Sequence, residues 1–175
     1  MKIKNEKSFT RQNFAKQNLD GFTLLEAIVA IFVITTGIVG VLSLVTQTIS
    51  SSTFSKDKLI AAYLAQEGIE IVRNIRDTNW LEEVAWNDGL GTGIWEGDYD
   101  DTQNLTSWID PGNFLNIDAS GFYSYAAGTP TKFKRKITIG SGPIVDSLNV
   151  KVEVFWQEKG KIYTVPAQEN LYNWR

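Results

Sequence analysis

Residues 21–45 read GFTLLEAIVAIFVITTGIVGVLSLV. A single side chain in that stretch is ionised, Glu26, and Ala27–Val45 supplies 19 consecutive residues without a charge. At about 1.5 Å per residue, a helix of that length crosses most of a roughly 30 Å hydrocarbon core. A carboxylate held at bilayer depth costs several kcal/mol unless a cation compensates it, so an acid placed there points to function.

Upstream of this segment, Lys2, Lys4, Lys7, Arg11 and Lys16 stand against Glu6 and Asp20, a net charge of +3. A basic flank of this kind stays on the cytoplasmic side while the apolar segment enters the bilayer and the following chain is exported. A Sec-type signal peptide would instead be cut after its apolar region, and Ser43 and Ser50 are small residues that suit such a cut. The 130 residues after Val45 are enough for one small domain. With no cysteine there is neither a disulfide framework nor a thiolate metal site, and with no histidine the commonest general base and zinc ligand are missing. That composition argues against an enzyme and gives no reason to expect a cofactor or metal.

Charge is unevenly spread. Residues 81–130 carry nine acidic and no basic side chains, whereas residues 131–175 carry eight basic and four acidic. The acidic centre repels polyanions. Lys132, Lys134, Arg135 and Lys136 form only a short basic patch, read as a solvated sheet face, and no direct nucleic-acid binding is expected.

Helical patterning continues beyond the membrane-length segment. Ile60, Tyr63, Leu64, Gly68, Ile71, Val72 and Ile75 recur at three- and four-residue intervals, with Glu67, Glu70, Arg73, Asn74 and Asp77 largely opposite them. No proline interrupts residues 22–77, which predicts a nearly continuous helix about 80 Å long. Gly37 and Gly40 are its weak points, either packing glycines that admit a neighbouring helix or a section that unwinds outside lipid.

The segment from Trp80 to Pro130 is rich in turn signals and aromatics and reads as an irregular loop folding over a sheet edge. Its Trp86, Trp95 and Trp108 are candidate ligand or partner contacts, as stacking platforms for a sugar. Asp98, Asp100 and Asp101 could give oxygens to calcium, but the twelve-residue loop pattern with its central glycine and closing glutamate is missing, and surface acidity is the preferred reading. Beyond it, Phe133, Arg135, Ile137 and Ile139 alternate with polar residues, as do Val150, Val152, Val154 and Trp156. Lys159-Gly160 turns the chain into Ile162–Val165 as a hairpin, Pro166 ends or edges that strand, and Leu171, Tyr172 and Trp174 pack back on the domain. An antiparallel sheet with one apolar face needs a cover, and the amphipathic half of the helix supplies it.

Gly21-Phe22-Thr23-Leu24-Leu25-Glu26, followed by Ala27-Ile28-Val29-Ala30, resembles the class III leader junction of type IV prepilins and type II secretion pseudopilins. The stretch from Ala61 to Glu70 and the ending Leu171–Arg175 resemble PilV-like minor pilins or pseudopilins more weakly. The resemblance implies an α+β, type IV pilin-like fold, with a long N-terminal helix whose hydrophobic half protrudes and whose remainder packs on a small antiparallel sheet. It divides the chain into a cleaved leader (1–21), a transmembrane and filament-core helix (22–50), its amphipathic continuation (51–79), a variable loop region (80–130) and the sheet (131–175). It further implies cleavage between Gly21 and Phe22 by a prepilin peptidase, N-methylation of Phe22, and passage through an assembly platform protein. The partners would be the lipid bilayer before assembly and other pilins afterwards. The location would be a single-pass membrane protein with an extracytoplasmic C-terminal domain, then a pilus or pseudopilus at the cell surface.

On this reading the new α-amine of Phe22, in the same or a neighbouring subunit, neutralises Glu26, while Ile28, Ile31, Phe32, Ile38 and Leu42 bury apolar surface around the pair. The bland alternative is that Glu26 merely snorkels to the lipid interface. Three functional classes stay open: a minor pilin or pseudopilin, a major pilin of an adhesive or motile fibre, and a membrane-tethered glycan-binding module.

Overall fold

The computed structural model describes residues 21–174; residues 1–20 of the leader 1–21, and Arg175 of the C-terminal match, lie outside them. Two compact units divide at Thr48 and Ile49. One helix, α1, is continuous from Leu24 to Leu81, 58 residues, close to the span its proline-free pattern predicts. It starts on Thr23, whose Oγ1 accepts from the Glu26 N–H at 3.2 Å and whose carbonyl accepts from the Ala27 N–H at 3.1 Å. Thr-x-x-Glu is the spacing of a capping box, and an acid in the first turn also suits the positive end of the helix dipole. The helix stops where Glu83 takes a left-handed φ of 58°. There the Val84 N–H returns to the Asn79 carbonyl at 3.1 Å and the Glu83 N–H to the Trp80 carbonyl at 3.4 Å, the two bonds of a Schellman ending.

In the first unit, the hydroxyls of Thr35 and Thr36 donate back to the Ile31 and Phe32 carbonyls at 2.9 Å each. Their polarity is thus satisfied inside the helix, as an apolar surrounding demands. The helix runs unbroken through Gly37 and Gly40.

In the second unit the helix covers a five-stranded antiparallel sheet in the order β2-β1-β6-β7-β8, formed by Thr106–Ser107, Gly93–Glu96, Phe133–Ser141, Ser147–Glu158 and Lys161–Tyr172. A second small sheet, β4-β3-β5, joins Tyr123–Ser124, Asn116–Ile117 and Thr129–Pro130. The β7–β8 hairpin turns at Lys159 and Gly160, both at positive φ, 50° and 78°, as a two-residue I′ turn requires. Of the two positions expected for Pro166, the strand end and the sheet edge, it takes the edge. It sits within β8 opposite Glu153, on the open edge of the sheet, where one side of the strand has no neighbour to receive its missing N–H.

The alternation read from the sequence holds in β6 and β7, whose Phe133, Ile137, Ile139, Val150, Val152, Val154 and Trp156 are buried under the helix. The helix face keeps Leu64, Gly68, Ile71, Val72 and Ile75 of the stripe read from the sequence and departs from it at its start: Tyr63 is 63% exposed and Ile60 only half-buried, while Ala61 and Ala65 are fully enclosed. Close approach explains the choice of small residues. A Cβ built on Gly68 would stand 2.7 Å from Val152 Cγ1 and 3.1 Å from Arg135 Cδ.

Arg135, the one charged residue on the inward face of β6, is completely buried. Its Nη1 donates to Glu67 Oε2 at 2.9 Å and to the Leu64 carbonyl at 3.3 Å, and its Nη2 donates to the Gly97 carbonyl at 2.6 Å. One guanidinium therefore ties the helix to β6 and to the chain leaving β1. The irregular region 80–130 needs a correction too, since it contains five short strands, and β1 pairs with β6 inside the main sheet. Strands of two to four residues are too short to display an alternating pattern.

Gly68→Ala is expected to destabilise the second unit by about 1–3 kcal/mol through overpacking, read by denaturant unfolding. Glu67→Ala, which strands a buried guanidinium, should cost about 3 kcal/mol, and Arg135→Met should cost clearly less because it removes the charge with the pair. The reverse order would contradict the role given to Arg135.

Candidate functional site

Gly21, Phe22 and Thr23 precede the helix outside regular secondary structure and are exposed, Phe22 by 81%. Nothing lies within 4 Å of a Cβ built on Gly21, so no packing in this chain demands a glycine there. Glu26 is exposed one turn into α1. Among the described residues no cation pairs with its carboxylate, and the next basic residue along the helix is Lys56, roughly 45 Å away at about 1.5 Å per residue.

Ile28, Ile31, Phe32, Ile38 and Leu42 are all exposed, between 54% and 66%. Not one residue of the most apolar 18-residue window is buried by this chain, and α1 is long and apolar enough to cross a membrane by length and composition. Ile34, Gly37, Ile38, Val41 and Leu42 frame an apolar notch of about 380 Å³, with the missing Gly37 side chain at its base. Small residues of this kind let a second helix approach closely in lipid.

The three tryptophans do not form one platform. Trp86 borders a hollow with Trp80 and Asn173. Trp95 faces the core beside Ile137 and donates its Nε1–H to the Gly91 carbonyl at 3.0 Å. Trp108 lines a separate cleft on the opposite side of the sheet.

The acidic turn is internally bonded. Asp98 Oδ1 and Oδ2 accept from the Tyr99 and Tyr125 N–H groups at 2.9 and 3.0 Å, and Asp101 Oδ2 accepts from the Asp98 N–H at 2.7 Å. Burial holds the Asp101 carboxyl above its ordinary range despite that bond, with Asp98 and Asp100 adding repulsion. Among the described residues no group of three or more carboxylates is arranged to hold a metal ion. Nearby, the Phe122 N–H, with that of Ser120, holds Asp118 below the ordinary carboxylate range.

Thr23, Gly68, Arg135 and the loop that carries Trp108 were not singled out as site or anchoring residues from the sequence. The Thr-x-x-Glu spacing would have found the first, whereas the others depend on contacts distant in the chain. No family model matches the chain, and neither a curated protein nor a solved structure matches it. The class therefore rests on architecture: an α+β, type IV pilin-like fold, with a long hydrophobic N-terminal helix and a small open antiparallel sheet.

Because Asp118 is depressed in the folded state, its contribution is full above about pH 4 and is lost as pH falls through the folded value. Protection of the Phe122 amide against hydrogen exchange, referenced to free-peptide rates, should drop as the pH goes from 5 to about 2. Asp118→Asn should flatten that response, and an unchanged profile would show that the carboxylate does not hold the turn.

Proposed function

We propose that this chain is a structural, non-enzymatic subunit of a type IV pilus-like filament, a minor pilin or pseudopilin. The observation that carries this reading is one carboxylate, Glu26, without a paired cation among the described residues, at the start of an apolar helix that the described residues leave uncovered. Such a surface needs lipid before assembly and other helices afterwards.

A prepilin peptidase cuts between Gly21 and Phe22, and the amine so released, subsequently methylated, lies four residues before Glu26. An opposite charge within about 4–6 Å favours the ionised acid and offsets its desolvation. When the amine belongs to a neighbouring subunit, the pair sets one axial offset between parallel helices. Ile28, Ile31, Phe32, Ile38 and Leu42 then bury apolar surface around it, and the notch over Gly37 receives a neighbour's side chain. The export of the second unit, the role of an assembly platform and the final place in a pilus or pseudopilus follow from the same reading. The aromatic-rich residues 80–130 suit a low-copy role better than the repeating wall of a major pilin.

Glu26→Ala should leave membrane insertion and leader removal intact while lowering recovery in sheared filaments by about tenfold or more, which corresponds to ~1.4 kcal/mol. Gly21→Ala should accumulate uncut precursor. Intact-mass analysis with and without prepilin peptidase checks both. Normal incorporation of Glu26→Ala would exclude the pairing, and a mature mass that does not begin at methylated Phe22 would exclude the pathway.

A further inference from the structure

Lys134 and Lys136 of strand β6, with Lys132 just before it, line the face of the main sheet opposite the core. Over this face folds the loop 108–114, and its attachment is specific. Glu96, only 2% exposed, accepts both the Asn113 main-chain N–H and the Asn113 Nδ2 donor at 2.7 Å. Lys134 Nζ adds a bond to the Pro111 carbonyl at 3.1 Å. Gly112, at a left-handed φ of 78°, lets the loop backbone lie flat against the indole of Trp108, because a Cβ there would stand 2.1 Å from Trp108 Cη2. The ring is thus backed by the loop on one side. Between loop and sheet remains a cleft of about 460 Å³, lined among others by Ile94, Trp108, Phe114, Lys134, Phe155 and Gln157. That size and its aromatic walls fall in the range of small-ligand sites, roughly 300–1,000 Å³.

Charge selects the ligand. Lys132 is paired with Asp57, and Lys136 with Glu153 at 3.0 Å. Lys134 meets the Phe114 ring face at 4.3 Å and the Pro111 carbonyl, but no carboxylate among the described residues. The cleft therefore offers one cation without an ion partner, set among aromatic faces, with the Gln157 amide nearby and Asp110 also on the lining. A densely charged polyanion such as nucleic acid is poorly matched, since two of the three lysines are already neutralised and Asp110 would repel it. A ligand with one flat apolar face and one isolated carboxylate is matched.

We propose that this cleft binds a uronic-acid unit of an acidic polysaccharide, with the C–H face of the pyranose on Trp108 and its carboxylate on Lys134. The site lies wholly in the second unit and does not depend on the filament reading. It also narrows the aromatic candidates to Trp108, since Trp86 and Trp95 lie elsewhere.

The test uses the full chain in detergent micelles, titrated with oligogalacturonate and separately with its methyl ester, and followed by tryptophan fluorescence and calorimetry. The acidic oligomer should bind at least about tenfold more tightly than the ester, the size expected for one charge-assisted contact. Lys134→Gln should reduce acid binding to the ester's level and leave ester binding unchanged. Trp108→Ala should abolish both; if that variant fails to fold by circular dichroism, Lys134→Gln decides alone. Equal binding of acid and ester, no effect of Lys134→Gln, no binding of the acid at millimolar concentration, or tighter binding of a single-stranded oligonucleotide through Lys134 would each overturn the proposal.

Discussion

An apolar helix can carry an ionised carboxylate at bilayer depth only where something supplies a positive charge at short range, and none of the described residues around Glu26 does. The exposed acid sits one turn into α1, on a face bordered by aliphatic side chains, with no basic residue among the described residues until Lys56. Among the described residues its local stabiliser is the positive end of the helix dipole, worth about 0.3–1 kcal/mol, below the several kcal/mol of desolvation. This imbalance links the chemistry of the first few residues to the assembly we propose. In that proposal, a proteolytic step that frees an amine beside the acid would change the electrostatics there.

The second unit solves a separate problem, which is how to cover one face of a small open sheet with half of a long helix. The solution is a seam of small residues, Ala61, Ala65 and Gly68, that brings the helix axis close enough for Val152 to meet its backbone. Arg135 occupies that seam and turns a buried charge into an anchor, its stem packed near Gly68 and its head shared between Glu67, Leu64 and Gly97. On the opposite face the sheet is free to carry surface chemistry, and the loop 108–114 is held there by Glu96, a buried acid satisfied by Asn113.

Much of this architecture was legible from local pattern. The absence of proline gave a helix through residues 22–77, and period-two alternation identified the inward faces of β6 and β7 together with the Lys159-Gly160 turn. What escaped has a common physical character. Hydrophobicity puts Tyr63 in the apolar stripe beside Gly68, whereas proximity to the sheet selects Ala61 and Ala65 in its place. Of the two positions the sequence allowed for Pro166, strand end or sheet edge, the sheet order selects the edge. β1 was hidden in a turn-rich segment because four residues carry no periodicity, and the cleft beside Trp108 depends on a bond between residues 96 and 113. For the N-terminal site, the sequence itself displays the acid and the apolar surface, while the helices proposed to cover them belong to other copies.

The most direct measurement is an intermolecular distance in assembled filaments prepared from a mixture of copies labelled with ¹⁵N and copies labelled with ¹³C. Solid-state NMR should show dipolar coupling between the Phe22 amine nitrogen of one copy and the Glu26 carboxyl carbon of another, at a separation within about 4–6 Å. Filaments that assemble normally without that coupling, or in which the coupled pair lies only within single copies, would contradict the account.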